Sequence, residues 1–222
     1  MGEAYQERVR EWIPKNFERE QRQPRESAKH SQLVRVVRSL EGVILDIASG
    51  PGGSLCVPVM MDGRTDRLLV MSDLGKPVMV EWRRLLREVG WGDRCSNIVF
   101  DARSIPFRDD SVTAITSMNG FDNILDNKPA YAEAERVLGR GGMLLDMVTV
   151  FEQGGKTQKL LLNCGQAAPD TESYFTMLET LGFGVEKSEL LNEGRGKKNP
   201  GDFAPLEEEK WQDILVYARK PG

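Results

Sequence analysis

The sequence is poor in cysteine. Its three cysteines, Cys56, Cys95 and Cys164, are odd in number and far apart along the 222 residues. This spacing suits neither a disulfide framework nor a CxxC metal clip, so we predict no metal site. Free thiols are typical of proteins in a reducing compartment, and we therefore expect a cytoplasmic location.

Long apolar runs are also missing. No stretch approaches the roughly 18 apolar residues that a membrane span needs, and the opening segment MGEAYQERVREW contains no apolar signal-peptide core. We therefore expect neither a membrane span nor an export signal.

Positive charge is not in excess, because 34 Asp and Glu outnumber 30 Lys and Arg, for a formal net charge of −4. This balance gives no reason to expect a large nucleic-acid-binding surface.

The first 40 residues show helical spacing of apolar side chains. Tyr5, Val9, Trp12 and Ile13 fall on one face of a helix, which we expect to end or kink at Pro14. The polar segment 18–29 predicts a connector. Residues 33–40 then repeat the helical spacing and predict a second helix.

From residue 43 onward, short apolar runs alternate with helical stripes. Strands are predicted at 43–47, 68–71, 98–100, 112–118, 143–151, 183–191 and 214–219, and helices at 52–61, 77–89, 129–138 and 174–181. The order strand, helix, strand predicts parallel βαβ units. No helical stripe separates the last two strands, and such strands usually pair antiparallel. We therefore predict an α/β fold whose sheet is mostly parallel, with one antiparallel strand at or near its C-terminal edge.

A loop rich in small residues follows the first predicted strand and reads DIASGPGG (46–53). Ligands of open α/β sheets bind at the carboxyl ends of the strands, and small residues let a ligand approach the backbone closely. A dinucleotide-binding fingerprint that starts at Gly50 would need a third small residue at position 55. Leu55 stands there, so the sequence disfavours a nicotinamide cofactor.

Carboxylates stand at the ends of the first three predicted strands, at Asp46, Asp73 and Asp101. Asp73 stands 23 residues after Gly50, where a carboxylate can accept hydrogen bonds from the two hydroxyls of a ribose. Asp101 can accept a hydrogen bond from an adenine amino group, and its small neighbour Ala102 leaves room for the ring. Each residue alone would suit a turn. Three at successive strand ends predict a nucleoside site.

Five segments together resemble class I S-adenosylmethionine-dependent methyltransferases, of the broad small-molecule kind that includes quinone-biosynthesis enzymes. They are VILDIASGPGG (43–53), VMSDLGKPVM (70–79), FDARSIPFRDDSV (100–112), EAERVLGRGGMLL (133–145) and LGFGVEKSELL (181–191). The resemblance implies a doubly wound, seven-stranded Rossmann-like sheet, with S-adenosylmethionine as the cofactor. It also implies that residues 41–222 form the cofactor-binding methyltransferase domain, to which residues 1–40 would add a helical lid or cap.

Carried over by position, the resemblance assigns a part of the cofactor to each segment. The loop would hold the methionine part of the cofactor, and the end of the second strand would hold the ribose. The end of the third strand would flank the adenine, and the end of the fourth strand would line the floor of the site. The implied cofactor-binding residues are Asp46, Ala48, Ser49, Gly50, Pro51, Gly52, Asp73, Leu74, Asp101, Ala102, Ser117, Met118 and Asn119. The chain departs from the family at Ala48, where Gly is usual.

The methyl acceptor is not identified by these motifs, since methyltransferases share cofactor loops and differ in acceptor pockets. His30, the only histidine, and Asn119 and Asp122, after the fourth strand, are the candidates for acceptor contact. Tyr131 fits either the pocket or the core. SMNG (117–120) stands where enzymes that methylate DNA amines carry an Asn/Asp-Pro-Pro-Tyr/Phe motif, so methylation of DNA amines is disfavoured. The resemblance implies a small-molecule acceptor.

No catalytic base is evident, so the catalytic residues stay unassigned. A non-catalytic protein that binds S-adenosylmethionine and regulates or scaffolds a partner is therefore the second hypothesis. Aminopropyl transfer is a third, but the sequence shows no convincing acidic polyamine site. Methyl transfer remains the leading prediction.

Overall fold

The protein is described here from a computed structural model, which covers residues 3–26, 28–53, 55–197 and 203–222, without the side chains of residues 3, 23–26 and 28–30. The helices are α1 (Glu3–Glu26), α2 (Ala28–Ser39), α3 (Cys56–Met60), α4 (Lys76–Glu88), α5 (Lys128–Val137), α6 (Lys156–Asn163) and α7 (Thr171–Thr180). The strands are β1 (Gly42–Asp46), β2 (Arg67–Asp73), β3 (Ser96–Val99), β4 (Val112–Met118), β5 (Leu138–Phe151), β6 (Gly184–Arg195) and β7 (Lys210–Arg219). Within these described ranges, no helix is both long and apolar enough to cross a bilayer.

The seven strands form one sheet in the order β3-β2-β1-β4-β5-β7-β6. Neighbouring strands from β3 to β5 pair parallel, whereas β7 pairs antiparallel with both β5 and β6. This confirms the predicted doubly wound, mostly parallel sheet with an antiparallel strand near its C-terminal edge. The chain leaves β1 toward β2 on one side and returns to β4 on the other. The switch point between β1 and β4 is where an open α/β sheet opens a crevice for ligands.

Apolar layers cover the two faces of the sheet. One layer joins α1–α4 to the sheet and includes Ile13, Trp82 and Met71. The other is built on α5 and α7 and includes Tyr131, Leu178 and Ile115. Four residues of the predicted stripe are buried in α4, namely Val78, Trp82, Leu85 and Leu86, whereas the fifth, Val89, follows the helix and is exposed. Pro77 lies in the first turn, where its missing N–H costs no helical hydrogen bond.

The first helix corrects the sequence prediction. Pro14 does not end α1, which runs unbroken from Glu3 to Glu26 through the segment predicted as a connector. Ile13 and Phe17 are buried, and the Phe17 ring meets Trp91 edge-on with 5.3 Å between centroids. A proline inside a helix costs about 3 kcal/mol, and burying two large apolar side chains, at about 1.5–3 kcal/mol each, offsets that cost.

Helix α6 was missed for a different reason. Its leucines, 160–162, are consecutive and form no stripe, and only Thr157 is buried. The N-terminus of α6 is instead held by a carboxylate from far along the chain. Both Lys156 and Thr157 donate backbone N–H groups to Glu209, the latter at 2.9 Å. A cap supplied from 52 residues away leaves no local pattern to read.

Candidate functional site

The loop that follows β1 is fixed by hydrogen bonds to β2 and α4. The Ser49 N–H donates to the Ser72 carbonyl at 2.8 Å, and the Trp82 indole N–H donates to the Gly50 carbonyl at 2.9 Å. Gly53 has φ of +57°, and a Cβ there would lie 2.5 Å from the Trp82 ring. Only glycine fits at that position, so the loop backbone is held in one shape at the switch point.

Asp46, at the end of β1, connects this loop to β2 and β4 by hydrogen bonds. Its carboxylate accepts hydrogen bonds from the Thr116 hydroxyl at 2.6 Å and the Ser49 hydroxyl at 2.5 Å, and its carbonyl accepts one from the Ser72 hydroxyl at 2.7 Å. Burial raises the pKa of the Asp46 carboxyl, while the Ser49 and Thr116 hydroxyls act in the opposite direction. The side chain is buried and contacts protein groups.

Asp73 ends β2 and faces the loop. One carboxylate oxygen accepts the Gly50 N–H at 3.0 Å and the other accepts the Gly75 N–H at 2.6 Å. Burial raises the pKa of Asp73, and these two backbone donors oppose the rise. Each oxygen keeps a lone pair for a further donor. Asp73 can therefore accept ribose hydroxyls while it holds the loop.

A cavity of about 510 Å³ lies at the carboxyl ends of β1, β2 and β4. Seven of the predicted residues line it, namely Ala48, Gly50, Asp73, Leu74, Asp101, Ala102 and Asn119. The lining does not include the other six, which are Asp46, Ser49, Pro51, Gly52, Ser117 and Met118. Ser117 is buried, and its oxygen accepts the backbone N–H groups of Gly120 and Phe121 at 3.1 and 3.3 Å. The cofactor contacts predicted for all thirteen remain predictions.

Sequence reasoning missed half of the cavity wall. The residues that it did not name are Ser72, Phe100, Arg103, Gly120, Asn123, Ile124 and Leu125. The turn after β4 carries no strand-end carboxylate that would have pointed to it. The best sequence indication of this wall was the glycine at position 120. A Cβ there would lie 2.5 Å from the Ile47 carbonyl oxygen, a contact that only glycine avoids.

Asp101 is already occupied by a neighbour. Its carboxylate pairs with the Arg103 guanidinium at 2.7 Å and accepts the Arg103 backbone N–H at 2.9 Å. These bonds from Arg103 lower the pKa of Asp101 and keep it ionised. An adenine amino group at Asp101 would therefore share the carboxylate with Arg103 or displace the guanidinium.

A second cavity, of about 270 Å³, adjoins the first, and both Asn119 and Asn123 line the two cavities. Asp122 lines the second cavity and accepts hydrogen bonds from the Asn119 amide at 3.0 Å and the Thr149 N–H at 3.1 Å. Tyr131 also lines it and is buried, so both interpretations of Tyr131 hold. The side chain of His30 lies outside the described residues, so its predicted acceptor contact stays a prediction.

A buried carboxylate stands behind the wall of the second cavity. Asp146 lies in β5, and one oxygen accepts the hydroxyls of Tyr131 and Tyr174, both at 2.7 Å. Burial raises the pKa of Asp146 to about 7, although the two hydroxyls act against the rise. Burial and the charge of Asp146 hold the pKa of both tyrosines well above the usual value. The signal for Asp146 was a lone carboxylate inside the apolar run 143–151.

The part of the chain that the structure describes contains no group of three or more His, Cys, Asp or Glu side chains that could hold a metal ion. Asn127 directly precedes α5, at the N-cap position of that helix. Its side chain makes no cap bond with the helix. The Asn127 side-chain amide donates instead to the Gln166 side-chain oxygen Oε1 at 2.7 Å, which connects it to the loop before α7.

Comparisons with known proteins agree with this geometry. A family model described as a methyltransferase domain matches residues 45–146. The ubiquinone/menaquinone biosynthesis C-methyltransferase UbiE of Hahella chejuensis is 30% identical over 102 residues, which span 46% of this chain and 41% of the relative. The UbiE of Paracoccus denitrificans is 26% identical over 166 residues, spanning 64% of this chain and 66% of the relative.

Solved structures show the same fold. A putative methyltransferase from Bacillus halodurans superposes with a TM-score of 0.66 at 18% identity, covering 88% of this chain and all of that one. The geranyl diphosphate C-methyltransferase of Streptomyces coelicolor superposes with a TM-score of 0.65 at 16% identity, covering 88% of this chain and 80% of that one. The sheet order and the loop after β1 agree with this matched methyltransferase domain at residues 45–146, and the chain has the Rossmann-like fold of the solved methyltransferases.

Proposed function

We propose that this chain transfers the methyl group of S-adenosylmethionine to a small-molecule acceptor. The observation that carries the proposal is the cavity of about 510 Å³ at the switch point of the sheet, lined by Gly50, Asp73 and Asp101. These residues lie inside the matched region 45–146.

The cavity fits the chemical parts of that cofactor. Asp73 offers carboxylate oxygens to the ribose hydroxyls. Leu74 and Leu125, which are 65% and 64% exposed, offer apolar walls to the adenine ring. A Cβ on Gly50 would meet no atom closer than 3.9 Å, so the missing side chain leaves open space beside the backbone for the methionine part.

The cofactor, when bound, supplies an electrophilic sulfonium methyl, to which a lone pair of the acceptor bonds while the carbon–sulfur bond breaks and leaves its electron pair on sulfur. The task of the chain is to hold the acceptor atom in line with that methyl, since positioning alone can supply much of the rate enhancement. The adjoining cavities, with Asn119 in the wall of both, suit this task.

We also propose that residues 1–40 cap the cofactor site of the domain at 41–222. The Asn16 amide donates to the Pro51 carbonyl at 2.9 Å, so α1 touches the cofactor loop. Tyr5 lies close enough to Asp73 for that carboxylate, after burial, to raise the pKa of the tyrosine. A cytoplasmic location, which the free thiols Cys56, Cys95 and Cys164 support, is part of the same proposal.

Titration calorimetry with S-adenosylmethionine and S-adenosylhomocysteine tests the cofactor assignment. We expect micromolar-range binding by the wild-type chain and a loss of roughly tenfold or more for Asp73→Ala, because hydrogen bonds to a charged group are worth about 1.5–3 kcal/mol. Gly50→Val should also abolish binding, because φ at Gly50 is +58° and a β-branched residue is strained there.

Asp66→Ala is the matched control, since Asp66 is exposed and pairs with Arg64 outside the cavity. It should bind both nucleosides like the wild type. Absence of binding by the wild-type chain, or equal affinity in Asp73→Ala, would refute the assignment. Transfer of a labelled methyl group to a panel of small metabolites in a single turnover then tests the activity itself.

A further inference from the structure

The second cavity has a marked charge character. Asp122 lines it, and none of its described lining residues is Lys, Arg or His. A second carboxylate stands one hydrogen bond behind the wall, because the Thr149 hydroxyl donates to Asp213 at 2.7 Å. The cavity therefore presents carboxylates and neutral polar groups to whatever enters it.

We propose that this second cavity binds the methyl acceptor and selects a small amine. This inference rests on the proposed function, because it takes the larger cavity as the cofactor site. A protonated amine is attracted by the carboxylates, whereas an anionic acceptor would meet like charges with no cation in the described wall to offset them.

The position of Asp122 directs the amine toward the cofactor side. Asp122 accepts its hydrogen bond from Asn119, and Asn119 belongs to the wall shared by the two cavities. An ammonium group that binds Asp122 therefore lies next to that shared wall, where the methyl group has to arrive. Transfer of one ammonium proton to the Asp122 carboxylate frees the nitrogen lone pair, which bonds to the methyl carbon while the carbon–sulfur bond breaks and leaves its electron pair on sulfur. The backbone of Asn119 has φ of +56°, a left-handed conformation that Asn tolerates better than most residues.

Aromatic side chains complete the recognition. Phe151 and Phe203 line the cavity, and Phe203 is 63% exposed, which places it at the mouth. Aromatic faces attract cations and bury apolar rings. A cavity of about 270 Å³ admits a molecule the size of benzylamine, whose ring can contact the phenylalanines while its ammonium group reaches Asp122.

Three probes of one shape and different charge test the charge preference. Benzylamine, benzyl alcohol and benzoate are titrated into the ¹⁵N-labelled protein saturated with S-adenosylhomocysteine. We expect benzylamine to shift the resonances of Asn119, Thr149 and Gln166, benzyl alcohol to do so more weakly, and benzoate to leave them unmoved at equal concentration. These three residues line the second cavity, so the shifts locate the site.

A charge-neutralising variant tests the role of Asp122. Asp122→Asn keeps the size and one acceptor oxygen, and we expect benzylamine to bind roughly tenfold more weakly, as for the loss of a charged hydrogen bond. Asp126→Asn is the matched control, because Asp126 is exposed and does not line the cavity. It should bind benzylamine like the wild type. Unchanged S-adenosylhomocysteine affinity in both variants shows that both are folded.

The outcomes separate the two proposals. If S-adenosylhomocysteine binds but benzoate shifts the same resonances as strongly as benzylamine, the amine assignment is wrong and the proposed function stands. The amine assignment is also wrong if Asp122→Asn leaves benzylamine affinity unchanged, or if the shifts fall outside the second cavity. If the wild-type chain binds no S-adenosylhomocysteine, the proposed function fails, and this inference fails with it.

Discussion

Ala48 lies in the left-handed region of the backbone, with φ of +51°, at the position where the family usually has glycine. Such a conformation costs an L-residue roughly 1–2 kcal/mol because Cβ approaches the following carbonyl oxygen. The loop accepts the cost because its other contacts fix its shape, among them the bonds from Gly50 to Asp73 and from Trp82 to Gly50. Strain of this kind is stored at sites that the surrounding structure over-determines.

Ala48→Gly should therefore stabilise the fold. We expect the free energy of unfolding to rise by up to about 1 kcal/mol, since the relief of strain exceeds the added freedom of glycine in the unfolded chain. Urea denaturation measures it. Ala134→Gly, in the buried face of α5, should change stability in the opposite direction by about 1 kcal/mol or more. A loss of stability in Ala48→Gly would contradict the strain at this residue.

At the scale of elements, helix α1 contacts the glycine-rich loop after β1 (residues 46–53). Val9, Ile13 and Phe17 are buried on one side of it, and Asn16, between two of these anchors, donates to the Pro51 carbonyl at 2.9 Å. The helix is thus fixed by its apolar side and uses one polar side chain to hold the loop. A helix that ended at Pro14 would not reach Pro51 in this way.

Asn16→Ala should weaken S-adenosylhomocysteine binding by several-fold and by no more than about tenfold, the range for one neutral hydrogen bond of about 0.5–1.5 kcal/mol. The expected cause is a looser loop. Calorimetry measures the affinity, and Glu18→Ala, an exposed change on the same helix, is the control that should leave it unchanged. Equal affinities for Asn16→Ala and wild type would show that α1 does not hold the loop in its binding shape.

The elements also show what local sequence can and cannot reveal. Strand β1 and helix α4 were predicted because their apolar residues repeat with the period of a strand or a helix and because turn residues follow them. The continuation of α1 past Pro14 depends on Phe17 meeting Trp91, and α6 depends on Glu209. Contacts between residues far apart in the chain decide both, and no window of sequence contains them.

The same distinction holds for the site. Asp73 and Asp101 could be placed because the ends of parallel strands meet at one edge of the sheet. Asn123 and Leu125 could not, since the turn after β4 enters the cavity by a path that only the folded backbone sets. Asp146 lies inside a strand, and its two tyrosine partners come from α5 and α7. Their meeting follows from the packing of both helices on β5.

At the scale of the whole molecule, Asp146 makes stability depend on pH. It is fully buried among groups from several elements, with the hydroxyls of Tyr131 and Tyr174 as donors and the charge of Asp122 as a nearby like charge that helps raise its pKa to about 7. An unfolded chain releases this proton near pH 4. The folded chain therefore binds one more proton than the unfolded chain between about pH 4 and pH 7, and the stability that this proton contributes is lost as the pH rises through that window.

Asp146→Asn replaces the carboxyl by a neutral amide of the same shape and removes this dependence. As the pH rises from 4.5 to 8, the wild type should lose about 3 kcal/mol of unfolding free energy relative to the variant, because one pKa unit corresponds to about 1.4 kcal/mol. Urea denaturation of both chains across this range measures the difference.

Tyr174→Phe serves as the companion variant. The Tyr174 hydroxyl lowers the pKa of Asp146, so its removal should extend the pH-dependent window upward. Parallel pH profiles for wild type and Asp146→Asn would mean that Asp146 is ionised in the folded chain throughout this range, and that its burial is compensated by stronger donors than the two tyrosines.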